Sequence, residues 1–290
     1  MRACGIAALS FACAGSALAA VSAVDDSRYA VTLAAPAQRI VSLAPHATEL
    51  LYAAGAGAKL VGASEYSDYP PEARRLPSVG GAAALDLERI ISLKPDLVVA
   101  WGNGNSAAQL AKLRNAGIPV FDSQPSDFEA IASSIERLAQ LSGTEALGRI
   151  AASRFRARLG RIAATYRQRP AVSVFYEISR EPLMTLNDAH MVSDAIRLCG
   201  GQNVFGGLPQ LAPTISVEAV LKADPDAIIT SDSSKDHVLA NWRRFPALKA
   251  VARGNLFTVD PDLLTRAGPR ILDGAEALCK EIETARNRRK

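Results

Sequence analysis

The stretch Glu88-Arg-Ile-Ile-Ser-Leu-Lys-Pro-Asp-Leu-Val-Val99 lies without a gap over Glu218-Ala-Val-Leu-Lys-Ala-Asp-Pro-Asp-Ala-Ile-Ile229. Each copy begins with a glutamate on a short helix, turns at Pro-Asp (Pro95-Asp96, Pro225-Asp226) and enters an apolar run suited to a buried parallel strand. Downstream, Gly117-Ile-Pro-Val-Phe121 and Gly254-Asn-Leu-Phe-Thr-Val259 supply the next strand of each copy. One short match is what chance gives. Two in the same order, at near-equal offsets, point to duplication of an α/β lobe.

Outward from the first copy, Arg39-Ile-Val-Ser-Leu-Ala-Pro-His46 reads as a buried strand ending at a Pro turn, after a polar leader around Asp25 to Arg28. Ala47 to Ala54 reads as a helix closed by Gly55 and Gly57, and Lys59 to Ser64 as a second strand. The alternation recurs through Leu97–Trp101, Gln109–Asn115 and Pro119–Asp122, the signature of a parallel sheet with helices on its faces. The fold class is therefore α/β: two Rossmann-like lobes with mainly parallel sheets, over residues 38–142 and 171–290. Between them Gly143 to Arg169 carries Ile150, Phe155, Leu159, Ile162 and Tyr166 at roughly helical spacing and ends before Pro170. One long α-helix of about 35 to 40 Å, at 1.5 Å per residue, is expected to join the lobes and to restrict hinge closure, leaving a largely pre-formed cleft.

Composition narrows the class. With 49% apolar and 21% charged residues the chain is ordinary globular protein, not a disordered or fibrous one. The net charge of +4 owes much to Arg286, Arg288, Arg289 and Lys290, a solvated tail, and no stripe interleaves aromatic with basic residues, so no nucleic-acid partner is expected. Residues 1–20, with Arg2 before a small apolar run ending Ala17-Leu18-Ala19-Ala20, read as a signal peptide, which implies export and a soluble mature protein. Export would leave Cys199 and Cys279 as the cysteines of the mature chain. Two readings stand: a disulfide closing a loop of about 80 residues, worth ~4 kcal/mol, or two separate buried thiols; an oxidising compartment favours the bridge. No Gly-x-Ser-x-Gly elbow, His-Glu-x-x-His, phosphate loop or dinucleotide fingerprint is present, so no catalytic residue is assigned and an exported α/β hydrolase is the outside alternative.

Tyr66-Ser-Asp-Tyr-Pro-Pro71, Leu87-Glu-Arg-Ile90, Leu93-Lys-Pro-Asp-Leu-Val98 with Ala100-Trp101, Cys199-Gly-Gly-Gln-Asn-Val-Phe205 and Arg266-Ala-Gly-Pro-Arg270 with Cys279 together carry a resemblance. The chain resembles the exported substrate-binding proteins of ABC importers for cobalamin, iron-siderophores and heme, whose two lobes are joined by one helix, and within them the cobalamin-binding branch. The resemblance covers nearly the whole mature chain. It implies a monomer in the periplasm, a Cys199–Cys279 pairing, a cleft for cobalamin or a related corrinoid as transported ligand with no resident cofactor, and a two-fold permease dimer as partner. Heme and a ferric siderophore are the alternative ligands. Tyr66 and Trp101 fall where that branch places aromatic residues against the corrin, and Asp262 and Arg266 where it places polar contacts. Two further aromatic positions are lost: Val79 to Ala84 holds no tryptophan, and Ala212 precedes Pro213 where another is expected.

In a two-lobed α/β protein the ligand lies beyond the carboxyl ends of the strands. That locates Pro45, His46, Tyr66 and Trp101–Asn105 in one lobe, and Tyr176–Arg180, Ser231–Ser233 and Asp260–Arg266 in the other. Gly102-Asn103-Gly104-Asn105 is a permissive loop that leaves the Trp101 indole at the cleft lip rather than in the core, whereas Trp242 is placed between helix and sheet. The His46 imidazole either ligates cobalt or iron or hydrogen-bonds local backbone; no metal site is firm. His190 and His237 read as surface residues. Glu88 and Glu218 recur at one position of the repeat, on opposite lobes, as a docking pair for arginines of a two-fold permease; the plain alternative is an acidic first-turn residue favourable to the helix dipole.

Overall fold

A computed structural model describes residues 20–231 and 235–289. The signal-peptide reading of residues 1–20 therefore lies, but for Ala20, outside the described residues, as do Asp232 and Ser233 of one predicted strand end and the side chain of His237. The described chain enters through an antiparallel hairpin of β1 (Val21–Val24) and β2 (Ala30–Leu33). Asp25 to Arg28, expected as a leader, form its turn instead. Asp25 Oδ1 accepts from the Tyr29 amide at 2.8 Å, and Asp26 pairs with Arg137 at 2.6 Å and accepts from the Gln124 amide. These bonds tie the hairpin to the first lobe, a contact that no local pattern announces.

The first lobe is built on β3 (Ile40–Ser42), β4 (Leu60–Ala63), β5 (Leu97–Trp101) and β6 (Val120–Ser123), all parallel in the order β4-β3-β5-β6. Leu97, Val98, Val99 and Ala100 are all fully buried, as a strand covered by helices on both faces must be. Around the sheet run α1 (Pro45–Ala53), α2 (Leu87–Ser92), α3 (Ala107–Asn115) and α4 (Phe128–Ser142). Next come α5 (Glu145–Tyr166) and α6 (Met191–Leu198). The second lobe repeats the frame with β7 (Val172–Glu177), β8 (Gly201–Asn203), β9 (Ala227–Thr230) and β10 (Leu256–Thr258) in the order β8-β7-β9-β10. Its further helices are α7 (Val217–Ala223), α8 (Lys235–Trp242), α9 (Lys249–Ala252), α10 (Pro261–Leu264) and α11 (Ile271–Asn287). The strand permutation is the same in both lobes, and α2 and α7 precede equivalent central strands.

The helix α5, 22 residues or about 33 Å long, is shorter than the spacing of residues 143–169 predicts. Gly143, at φ 65°, ends α4 in the left-handed conformation, and the Thr144 amide bonds back to the Ala139 carbonyl at 2.9 Å. Ile150, expected on the apolar stripe, is 49% exposed, while Ala152, Phe155 and Ile162 are buried. Arg156 pairs with Glu129 and Glu136 of α4, and Arg158 with Asp273 and Glu276 of α11, so the helix is clamped to both lobes. These partly exposed pairs contribute little singly. Apolar burial contributes more: one continuous core runs from Leu50 and Phe121 through Phe155 and Ile162 to Val174 and Leu278. The outer face of each sheet has its own cluster, around Val98 in one lobe and Phe175 with Trp242 in the other. Swinging the lobes apart would open the shared core to water, a physical basis for limited hinge motion. Cys199 and Cys279, both fully buried, form a disulfide that staples α6 to α11.

Candidate functional site

Beyond the carboxyl end of the first sheet, between the lobes, lies a cavity of about 300 Å³, lined from the first lobe by His46, Trp101 and Gln124 among others, and from the second by His190, Met191 and Thr265. His46 is the second residue of α1. The helix starts two residues before the predicted Ala47, because Pro45 has a ring-fixed φ suited to the first turn. The ring is only 6% exposed and stands edge-on to Trp101, at 5.8 Å between centroids and 78° between planes. Nε2 lies 3.3 Å from the Ser123 carbonyl, which can only accept, so this nitrogen carries the proton. Burial pushes the pKa down to about 4, against the smaller opposing effects of the Ser123 carbonyl and Asp26, and His46 is neutral at physiological pH.

Trp101 ends β5, half-buried, with one side against the core and the other on the cavity. Asn105 sets the loop behind it: Oδ1 accepts from the Trp101 amide at 2.7 Å, and Nδ2 donates to the Leu43 and Ala82 carbonyls at 3.2 and 3.1 Å. Gly104 lies so close to the indole that a Cβ there would stand 2.0 Å from Trp101 Cδ2. Trp242 is fully buried, donating Nε1–H to Glu177 at 2.5 Å and packing edge-on against Phe175 at 5.6 Å.

Tyr66 does not join this cavity. It is 79% exposed at φ 63°, a strained backbone for tyrosine, beside a separate hollow of about 250 Å³ with Ser64, Ser67 and Asp68. Asp262 and Arg266 form an ion cluster across the lobes. Arg266 reaches Asp68 at 2.7 Å and Asp262 at 3.0 Å, while Arg270 grips Glu49 with two bonds of 2.6 and 3.1 Å. Burial works against ionising Asp68, but the Arg266 hydrogen bond and charge, with Arg270 behind, hold its carboxyl below the ordinary value. Glu49, 3% exposed, Asp68 and Arg270 were not legible as site residues. The one signal was Glu49 itself, a charge within the apolar stretch Ala47–Leu51 that had to find a partner.

His190 is not a plain surface residue. Its Nδ1 accepts from the Val192 amide at 3.1 Å, capping α6, and burial lowers its pKa, opposed by Asp194. Among the described residues no group of three or more His, Cys, Asp or Glu side chains could hold a metal ion. Among the described residues that line the cavity, none carries a charged side chain.

Glu88 and Glu218 are both exposed in the first turn of their helices, capped alike: Asp86 accepts from the Arg89 amide at 2.9 Å and Ser216 from the Ala219 amide at 3.2 Å. The Glu218 carboxyl is held below its ordinary value by its own backbone amide and by Ser216. A helix that precedes a parallel strand runs against it, so both N-termini lie at the carboxyl edge of the sheets, the edge on which the cavity opens.

A family model for periplasmic binding proteins matches residues 40–263. A vitamin B12-binding protein of Vibrio cholerae is 42% identical over 254 residues, covering 86% of this chain and 91% of the relative. One from Photorhabdus laumondii is 37% identical, covering 90% and 92%. The crystal structure of the periplasmic vitamin B12 binding protein BtuF of Vibrio cholerae superposes with a TM-score of 0.79 at 42% identity, covering 86% of this chain and 98% of that one. A periplasmic heme binding protein from Pseudomonas aeruginosa superposes with a TM-score of 0.72 at 29% identity, covering 85% and 92%.

Proposed function

Because the chain belongs to the periplasmic binding protein family, we propose that it binds cobalamin or a related corrinoid between its lobes and delivers it to an ABC importer of the inner membrane. The corrinoid is cargo, not a resident cofactor. The observation that carries the choice of cargo is that the described residues lining the cavity are uncharged. A corrinoid presents neutral carboxamides around its rim, whereas heme presents two propionates, and burying a carboxylate against neutral walls is costly. Arg266, between Thr265 and Ala267 of the lining, and Arg270 are already paired with Asp68, Asp262 and Glu49.

In this reading Trp101 packs on the macrocycle, and His46 contacts the part that enters the cavity. Tyr66 covers the ligand from the mouth, and Asp262 and Arg266 meet its rim. A cavity of about 300 Å³ is at the small end of ligand sites, so much of the corrinoid lies in the open mouth. Glu88 and Glu218, on opposite lobes at the opening edge, accept charge-assisted hydrogen bonds from arginines of a two-fold permease, with the protein acting as a monomer. The lobes are the folded units at 38–142 and 171–290, joined through residues 143–169.

Titration with cyanocobalamin, dicyanocobinamide and hemin tests the reading. Corrinoids are expected to saturate the protein and quench its fluorescence, with no Soret shift from hemin. A Soret shift with hemin and no response to corrinoids would reject it. Glu88→Ala with Glu218→Ala is expected to abolish uptake into permease-containing vesicles while leaving corrinoid binding intact.

A further inference from the structure

Two histidines from opposite lobes line the same cavity with opposite hydrogen-bonding character. His46 donates Nε2–H to the Ser123 carbonyl, so its Nδ1 carries a bare lone pair. Among the described residues that Nδ1 has no hydrogen-bond partner, and it is not one of the side-chain atoms closed off from solvent. His190 is the converse. Its Nδ1 accepts from the Val192 amide, so the proton sits on Nε2, which likewise has no acceptor among the described residues and is not sealed off. The two rings that line the cavity therefore carry, between them, one unused acceptor and one unused donor.

Resting on the corrinoid reading above, we propose that His46 and His190 form a facing pair that recognises one primary carboxamide of the ligand. The amide N–H donates to His46 Nδ1, and its carbonyl accepts from His190 Nε2–H. Two hydrogen bonds of about 3 Å flanking a carboxamide require roughly 8 Å between the two ring nitrogens. A carboxylate at that point has no proton for His46 and sets its charge against a lone pair. An ammonium has no acceptor for His190. The pair thus reads an amide and rejects the acid that hydrolysis would make of it, since leaving a buried polar group unmatched costs more than a good bond returns.

The test uses the full-length mature protein and the separated monocarboxylates of cyanocobalamin, each with one side-chain amide hydrolysed. With the wild type, one isomer is expected to bind about ten-fold or more weakly than cyanocobalamin and the others within about two-fold. His46→Gln, whose amide both donates and accepts, is expected to reduce that penalty to about three-fold or less. His190→Asn keeps the cap of α6, because an asparagine oxygen accepts from the same amide, but its shorter side chain draws the remaining N–H donors back from the position of Nε2. It is expected to weaken cyanocobalamin about five-fold with an unchanged melting temperature. Equal binding of every isomer by the wild type overturns the proposal, as does a penalty that persists in both variants. So does a change in the visible cobalt bands of aquocobalamin that His46→Gln abolishes, which would make His46 a metal ligand instead. If cyanocobalamin itself does not bind, the corrinoid reading fails with it; if it binds and the isomers do not differ, only the pair falls.

Discussion

The two lobes share one strand order and one capped, glutamate-bearing helix, yet they finish equivalent strands in opposite ways. At the offset that matches Glu88 to Glu218, Trp101 corresponds to Ser231. In the first lobe β3 leads into His46 and β5 ends in Trp101, both on the cavity. In the second, β7 ends in Tyr176 and Glu177, both fully buried; the Glu177 carboxylate takes Trp242 Nε1–H at 2.5 Å, and Arg180 lies 3.7 Å from it and 4.8 Å over the Trp242 ring. Burial pushes the Tyr176 hydroxyl up to about 12. A buried carboxylate must be paired, so these strand ends are committed to stability, and the second lobe lines the cavity from loops and short helices instead. Duplication preserved the frame because the sheet's hydrogen bonds demand it; the strand ends were free to diverge.

The sharpest way to break this comparison is to truncate the two tryptophans. Trp242→Ala is expected to cost about 3–5 kcal/mol of stability, with little change in the affinity of the protein that stays folded. Trp101→Ala is expected to cost less stability and to weaken corrinoid binding at least about ten-fold, by removing a stacked face. Denaturant unfolding and ligand titration on both variants decide, and equal losses of affinity would undo the assignment of the two faces. Opening the staple of the second lobe with Cys199→Ser and Cys279→Ser is expected to lower stability by ~4 kcal/mol while sparing affinity, as read by thermal unfolding with and without ligand.

The next effect depends on pH. Folding holds the His46 imidazole at about 4 against an ordinary 6.5, so the unfolded chain binds a proton first as pH falls. Stability should decline from pH 6.5 to pH 4 and level off below, by about 3 kcal/mol from this group. His190, lowered in the same direction, adds to the decline. Denaturant midpoints across that range should flatten in His46→Gln; an unchanged slope would mean that the ring is not held neutral. The smallest effect is expected from Gly104→Ala. The new methyl would stand 2.0 Å from the indole and force Trp101 to shift, lowering affinity a few-fold without removing a ligand-contacting group. A calorimetric titration that finds wild-type affinity would show the indole free to move.

How much of this was legible follows from the range of each interaction. The repeat Glu88–Val99 over Glu218–Ile229, with its Pro-Asp turns, revealed two parallel-sheet lobes because strand and helix periods are local patterns. Trp101 was placed correctly at a strand end because Gly102-Asn103-Gly104-Asn105 cannot continue a strand. The Arg270–Glu49 pair, 221 residues apart, and the Asp68–Arg266 pair, 198 apart, have no local signature. His190 looked like a surface residue because its cap is visible only once α6 has a start.

By itself, then, the sequence determined the lobes, their parallel strands and the glutamates that head two matching helices. All of these are periodicities and turns that neighbouring residues impose. Only the tertiary structure decided which strand ends stay open. That choice depends on charges finding partners across the lobes, on Glu177 being sealed by Trp242 and Arg180, and on His46 losing its charge to burial on the cavity wall. Burial and pairing are properties of the assembled molecule, and no stretch of chain carries them alone.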